Sequence, residues 1–217
     1  MKICESCHGG CCRRFFPDIT GYDIIKIIES SGLDINFFAT AQPVDENYLK
    51  IALGIKPLFA FTDSGEKQYY RFCLKMEESS LFPDSYKCIF LNELDAKKEG
   101  SKLYDGIIAR CSIYHARPLT CRTFPAKFHP KKKKGMLIDP NKSFPKDKNP
   151  AYKLCPRPLI AEDSQGNQAE TLNNLVLYDY EMAFFLELSE KWNEKPDLSD
   201  YFAEFMIKKY QNRITLN

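Results

Sequence analysis

The stretch CESCHGGCC at residues 4–12 places four cysteines within nine residues and begins an ordered cysteine pattern. Four single cysteines continue the pattern farther along the chain. The complete set is Cys4, Cys7, Cys11, Cys12, Cys88, Cys111, Cys121 and Cys155. A compact cysteine set is typical of a disulfide scaffold, of a metal or iron–sulfur site, or of a redox-active thiol pair.

Metal binding explains these cysteines better than disulfide bonds do. The chain begins MKICESC, without the apolar run of a secretory signal, so we expect a cytoplasmic location in which thiols stay reduced. Nine cysteines in all is an odd number, and the adjacent Cys11 and Cys12 are an awkward start for paired bridges. We therefore predict a metal framework over residues 4–155, with the eight cysteines as its ligands.

Composition limits the other partners of the protein. The 217 residues are 44% hydrophobic and 28% charged, which is typical of a globular domain, and we predict a single domain over residues 1–217. No stretch approaches the roughly 20 apolar residues that a membrane span requires. The net charge of +2 is too small to indicate a nucleic-acid partner. We expect metal ions as ligands and neither membrane nor nucleic acid as partners, and the sequence identifies no protein partner.

The arginines are unusually close to the cysteines. Seven of the eight arginines lie within four residues of a cysteine, and they are Arg13, Arg14, Arg71, Arg110, Arg117, Arg122 and Arg157. Four thiolates around a divalent ion leave a net negative charge, which fixed cations would offset. We interpret the clustering as charge compensation. Carboxylate pairing and loop capping are the alternative.

Local patterns predict an α+β fold that is mostly helical. Thr20 can cap a short helix that buries Ile24, Ile27 and Ile28 and ends at Gly32, and Asp34 opens a turn through Phe37 and Phe38. Residues 58–95 predict a small antiparallel sheet, with a hairpin loop at Ser64-Gly65 and Cys88 on or beside a strand.

The second half of the chain predicts irregular structure followed by helices. Residues 107–128 favour short helical turns, with Pro118 at the start of one. Residues 131–158 indicate a long loop that brings Cys155 back to the other cysteines. The four lysines at 131–134 are predicted to lie in a solvated turn of this loop. Residues 169–193 and 198–211 predict two helices that pack on the metal framework. Their predicted buried residues are Leu172, Leu175, Val176, Met182, Phe185, Leu186, Phe202, Phe205 and Met206.

The runs CxxCxxxCC, CIFL, CSIYHARPLTCRTFP and LCP together resemble the YkgJ-type cysteine-cluster family of zinc- or iron-chelating domains. The resemblance extends from Cys4 to Pro156 and implies that the eight cysteines are the family's cysteine positions. Arg117, Pro118, Arg122 and Phe124 match the family's RPxxCRxF signature, whereas Cys73 lies outside the pattern and is expected to be a half-buried strand residue. The spacer containing His8 departs from the commonest form of the family, and we expect His8 to be an exposed spacer residue rather than a ligand. His115 and His129 are read as surface residues.

The metal and its use stay open at this point. Eight cysteines are most simply divided into two sites of four ligands each. The later cysteines lack the second CxxC knuckle of common zinc ribbons, so we favour an iron–sulfur cluster over Zn²⁺. The preferred function is a metal-binding protein in which the metal is at least structural. A protein-lysine methyltransferase, suggested by the similar cysteine cluster of flagellin lysine N-methylases, and a redox or metal-delivery module are the alternatives. No residue is predicted to be catalytic, and whether the protein is an enzyme is left open.

Overall fold

The structure is a computed structural model that describes residues 7–95, 107–129, 131, 134–155, 157–160, 163 and 168–214. The described residues confirm the α+β class, with several helices and small antiparallel sheets. The chain divides into two compact units. The first comprises Met1–Pro17 and Leu74–Val176, and the second comprises Asp18–Cys73 and Leu177–Asn217. The assignment of residues 1–217 to one domain, with the last two helices packed on the metal framework, stays a prediction.

Short helices precede a run of strands in the described chain, and the two longest helices come last. The helices are α1 (Gly10–Arg14), α2 (Gly21–Ser31), α3 (Ile35–Phe38), α4 (Glu46–Ala52), α5 (Leu119–Thr123), α6 (Pro140–Ser143), α7 (Gln168–Glu194) and α8 (Phe202–Ile214). The strands are β1 (Ala39–Pro43), β2 (Phe59–Phe61), β3 (Gln68–Leu74), β4 (Met76–Glu78), β5 (Tyr86–Cys88), β6 (Leu91–Asp95), β7 (Ile107–Cys111), β8 (Ala126–His129) and β9 (Lys134–Leu137). Short 3₁₀ turns occupy Tyr114–Ala116, Pro150–Tyr152 and Ser199–Tyr201.

The first unit contains three antiparallel strand pairs, β4–β5, β6–β7 and β8–β9. Two of the pairs set cysteines in register with apolar residues, because Cys88 pairs with Met76 and Cys111 pairs with Leu91. Isolated two-stranded pairs are only marginally stable in water. The strands of this unit therefore depend on what packs against them.

The prediction of short helical turns over residues 107–128 is partly wrong. Turns do form at Tyr114–Ala116 and Leu119–Thr123, with Pro118 capping the second, but Ile107–Cys111 and Ala126–His129 are strands. The local prolines, Pro118 and Pro125, marked the turns correctly. Ile107–Cys111 pairs with Leu91–Asp95, and the paired residues lie 12 to 20 positions apart in the chain. Local prolines do not reveal a pairing over this distance.

Residues 131–158 are also more ordered than a long loop. β9 pairs with β8, α6 begins after the capping side chain of Asp139, and Asn149 caps the turn Pro150–Tyr152. Lys131 is exposed, as expected for a solvated turn, and Lys132 and Lys133 lie outside the described residues. The prediction is wrong for Lys134, which begins β9 and pairs with His129. The segment does return Cys155, which is buried.

The second unit is built on a three-stranded sheet with the order β1-β3-β2. As predicted, α2 begins at a capping box formed by Thr20 and Asp23 and ends at Gly32, whose φ of 68° is the left-handed conformation that glycine favours. Aromatic side chains from the sheet and the last two helices fill the core, among them Phe59, Phe61, Phe72, Phe185, Trp192 and Phe202. The indole nitrogen of Trp192 donates a hydrogen bond to the carbonyl of Ala60 at 2.6 Å.

Two expectations about buried side chains need correction. Val176 was predicted to be buried but is 57% exposed, because it lies on the outward side of α7 next to the buried Leu175. Cys73 lies on β3 as predicted, although it is fully buried rather than half-buried. Among the described residues, no helix combines the length and the apolar character that crossing a membrane requires.

Candidate metal centre

A close approach of two backbone segments positions the N-terminal cysteines. A Cβ atom on Gly10 would lie 1.8 Å from the carbonyl oxygen of Lys153, so only glycine allows α1 to approach the segment that precedes Cys155. The Sγ atom of Cys7 lies 3.9 Å from the carbonyl oxygen of Leu154, within the range of a weak sulfur hydrogen bond. The start of the cysteine pattern is therefore packed against its end.

Adjacent Cys11 and Cys12 lie at the centre of a group of thiols. Their Sγ atoms are 3.9 Å apart. Cys12 interacts electrostatically with Cys88, Cys111 and Cys121, and Cys11 interacts with Cys7, Cys88 and Cys111. Six thiols that come from α1, β5, β7, α5 and the turn before α1 thus share one neighbourhood, which we call the thiol cluster.

The remaining cysteines are placed differently. Cys4 lies outside the described residues. Cys155 is buried next to Leu154, which contacts Cys7. Cys73 belongs to the other unit, where its thiol donates to the Asp18 carboxylate at 3.4 Å. All eight cysteines that the structure describes are free of disulfide bonds. In the described part of the chain, no three histidine, cysteine, aspartate or glutamate side chains are arranged as a ready metal site.

Burial favours the protonated form of several cluster thiols. Burial raises the pKa of Cys88 to about 12 and also raises the pKa of Cys7 and of Cys111. The hydrogen bond with Cys12, together with burial, holds the pKa of Cys11 well above its usual range. A bound metal ion reverses this preference, because it binds the thiolate directly. A set of closely spaced, soft sulfur donors fits zinc or iron in this way.

Arg13 is a buried cation at the back of the thiol cluster. It lies on α1 directly after Cys12, forms an ion pair with Glu93, and donates to the Ser79 hydroxyl at 3.0 Å and to the His8 carbonyl at 3.2 Å. Its charge lowers the pKa of Cys7, although burial raises that pKa more. Burial alone would raise the pKa of Glu93, but hydrogen bonds from Ser79, Arg13 and Ser80 outweigh it and lower the pKa to about 2.

The expectation that His8 is an exposed spacer residue is wrong. Its exposure is 1%, and its ring lies 6.2 Å from that of Phe82, measured between centroids. The cause is the close approach of α1 to the 153–155 segment, which covers the turn on which His8 lies. His115 is exposed, as predicted for a surface residue, and His129 is half-buried on β8.

The arginine clustering has more than one physical meaning. Arg13 lowers the pKa of Cys7 and Arg117 lowers that of Cys111, which agrees with charge compensation. Other arginines cap loops or pair with carboxylates instead. Arg14, for example, donates a hydrogen bond to the Pro145 carbonyl. The remaining examples are Arg122 on the carbonyls of Arg117 and His115, Arg71 with Asp18, and Arg157 with Asp163. Proximity to cysteine in sequence therefore did not distinguish the two roles.

Two contributors to the site were not identified from the sequence. Glu93 neutralises Arg13 across 80 positions of the chain, and no local pattern around Glu93 distinguishes it from a surface carboxylate. Gly10 was interpreted from the sequence only as part of the spacer between cysteines, without a role in backbone packing. The run Gly9-Gly10 directly before Cys11-Cys12 is the signal that could have indicated a close backbone approach.

The fold and the thiol cluster define an α+β protein with a group of buried and half-buried cysteines. Residues 3–144 match the model of the CxxCxxCC family, which is described as a zinc- or iron-chelating domain. The match covers more than half of the chain, and the protein belongs to this family. The resemblance drawn from the cysteine pattern is thereby confirmed. A search of curated proteins and a search of solved structures found no match to the chain.

Proposed function

We propose that this protein is a cytoplasmic metal-binding protein that holds one polynuclear iron or zinc centre through Cys4, Cys7, Cys11, Cys12, Cys88, Cys111, Cys121 and Cys155. The observation that carries the proposal is the 3.9 Å separation of the Cys11 and Cys12 sulfurs, together with four further thiols, Cys7, Cys88, Cys111 and Cys121, that interact with one or both of them. Two separate four-cysteine sites would divide the thiols into two groups. A single group favours one centre, and an iron–sulfur cluster is the form we expect.

The metal has a structural role in this proposal. The cluster cysteines come from segments that are distant in sequence, and the strand pairs that carry Cys88 and Cys111 are two-stranded. Thiolates in one buried neighbourhood repel each other unless a cation lies between them. Binding of the cation therefore supplies free energy that holds these segments together. Reduced thiols fit a cytoplasmic location.

Elemental analysis and visible absorption of anaerobically purified protein test this proposal. We expect iron with acid-labile sulfide and a brown colour in the wild type. Cys12→Ser should lose most of the metal because Cys12 contacts Cys11 and interacts electrostatically with three other thiols of the cluster. Cys73→Ser is the control, since Cys73 is a free thiol that is more buried than the half-buried Cys12 but lies in the other unit, and it should retain the full metal content.

The outcomes separate the parts of the proposal. A colourless protein with stoichiometric zinc would overturn the iron–sulfur assignment and support a zinc–thiolate centre. A metal-free wild type, or equal metal content in Cys12→Ser and the wild type, would contradict the proposed centre itself.

A further inference from the structure

The first unit contains a cavity of about 570 Å³ next to α5. This volume falls in the range of roughly 300–1,000 Å³ that is usual for small-molecule sites. The lining combines two cationic residues, Arg117 and Arg122, with apolar residues, of which Phe124, Leu137 and Leu172 are the largest. Such a lining fits a ligand that has both a charged group and an apolar body.

Arg122 is a positioning residue of this cavity. Its Nε atom donates to the carbonyl of Arg117 and its Nη2 atom donates to the carbonyl of His115, both at 2.7 Å. These bonds fix the backbone turn from which the Arg117 side chain projects. Arg122 lies on α5 directly after Cys121, so the same short helix contributes to the cavity and to the thiol cluster.

Arg117 is held in one orientation with its outer donors unused. Its Nε atom donates to the carbonyl of Tyr114 at 3.0 Å, and its guanidinium carbon lies 3.9 Å from the centroid of the Tyr114 ring. Within the part of the chain that the structure describes, its two terminal nitrogens make neither a hydrogen bond nor an ion pair. Two parallel N–H donors on a fixed plane match the two oxygens of a carboxylate or phosphate.

The acidic residues of the lining do not cancel this cation. Asp163 is bound by both terminal nitrogens of Arg157, at 2.7 and 2.9 Å, and by the backbone nitrogen of Ile160 at 2.9 Å. Its charge is therefore already neutralised by a residue that does not line the cavity. Glu170 lies exposed in the first turn of α7. Among the described residues, neither Glu170 nor Asp163 forms an ion pair with Arg117.

We propose that this cavity is a binding site for a small organic anion. The terminal nitrogens of Arg117 bind the carboxylate or phosphate of the ligand in a bidentate manner, Arg122 holds the turn that presents Arg117, and the apolar body of the ligand packs on Phe124, Leu137 and Leu172. The site requires no metal for binding, so this inference does not rest on the identity of the metal centre.

Isothermal titration of the purified protein with benzoate, phenyl phosphate and the neutral benzamide tests the site. We expect saturable binding of the anions, competition between them, and weaker binding of benzamide. Arg117→Gln should raise the Kd of the anions by at least about tenfold, because it removes a charge-assisted pair of hydrogen bonds. Arg117→Lys keeps the charge but not the planar fork, and its Kd should lie between those of the wild type and Arg117→Gln.

Arg110→Gln is the matched control, because Arg110 is also near Cys111 but is exposed, donates only to the neighbouring Ala109 carbonyl among the described residues, and does not line the cavity. Its Kd and its metal content should equal those of the wild type. If Arg117→Gln fails to fold, Arg117→Lys provides the comparison. Absence of saturable binding by both anions, equal binding of benzamide, or equal weakening in Arg110→Gln would overturn the proposed site. Comparison of the two anions identifies which head group is preferred.

Discussion

Arg13 and Glu93 form the most completely buried ion pair of the first unit that the structure describes, with side-chain exposures of 0% and 2%. Taking two charges out of water is expensive, and the pair compensates this expense only while both partners are present. Arg13 follows Cys12 directly on α1, so the pair also fixes the helix that carries the two central thiols. Removing one partner leaves a buried charge beside them.

Glu93→Gln should therefore destabilise the protein strongly. We expect the free energy of unfolding at neutral pH to fall by roughly 3–5 kcal/mol, measured by urea denaturation, because an unpaired buried arginine remains. Glu29→Gln is the control. Glu29 pairs with Lys26 on the surface, at exposures of 55% and 45%, and its loss should change stability by less than about 1 kcal/mol. Equal effects of the two substitutions would contradict a stabilising role of the buried pair.

The same pair predicts a pH dependence. The pKa of Glu93 is lowered from 4.5 to about 2 in the folded protein, so its contribution to stability is present above pH 4.5 and is lost as the pH falls toward 2. The shift corresponds to about 3 kcal/mol. The difference in unfolding free energy between wild type and Glu93→Gln should shrink over this interval, as followed by circular dichroism at several pH values. A difference that stays constant from pH 5 to about 2 would contradict the assignment to Glu93.

At the scale of elements, α1 decides how the cysteine pattern closes. This helix of five residues is too short to be stable alone, and its position comes from contacts at Gly10 and Arg13. The contact at Gly10 places α1 on the backbone of Lys153, two residues before Cys155. An ordinary Gly→Ala change inside a helix stabilises it by up to about 1 kcal/mol. At Gly10 the sign should reverse.

Gly10→Ala should lower the melting temperature and the metal content, because its Cβ atom would lie 1.8 Å from the Lys153 carbonyl oxygen. Backbone atoms cannot move aside cheaply, so the 153–155 segment must be displaced. Gly135→Ala is the control, since its Cβ atom would meet side-chain atoms and no backbone, at 3.2 Å from Leu175 and 3.6 Å from Thr171. Differential scanning calorimetry and metal analysis of both variants make the comparison. A melting temperature for Gly10→Ala at or above that of the wild type would contradict the steric argument.

Elements with local signals could be predicted, and elements with distant partners could not. The helix from Gly21 to Ser31 was predicted correctly, because Thr20 and Gly32 carry their capping chemistry in the sequence itself. β7 was missed because its pairing with β6 joins segments separated by a stretch without a strand signal. For the candidate site, the cysteines were evident from spacing, whereas the burial of His8 and the partner of Arg13 depend on tertiary contacts.

At the scale of the whole molecule, the two units have different sources of stability. The second unit has a core of aromatic rings, in which Phe72 and Phe202 stack at 4.6 Å and Trp192 contacts Phe61 at 5.8 Å. The described cysteines of the framework all belong to the first unit, whose strands form two-stranded pairs. The α+β class could be predicted because it follows from local patterns. The division into two units could not, because each unit combines segments that are far apart in the chain.

Removal of the metal should therefore affect the first unit more than the second. After chelation under reducing conditions, we expect amides of β6 and β7 to lose protection in hydrogen-exchange mass spectrometry, while amides of β2 and β3 keep it. Emission from Trp192, the only tryptophan of the chain, should change little because it reports on the aromatic core. Equal loss of protection in both units would contradict a metal role confined to the first, and full protection in both would contradict a structural role altogether.

The interleaving of the units has a consequence for biosynthesis. Residues 18–73, which belong to the second unit, separate the N-terminal cysteines from the strands and turns that complete the thiol cluster. A ribosome translating this chain releases Cys7, Cys11 and Cys12 first and Cys155 much later. During that interval the early thiols lack the backbone and side chains that bury them in the finished protein. For the proposed centre, the order of translation makes metal loading a late event, because the first cysteines must stay reduced until Cys155 emerges.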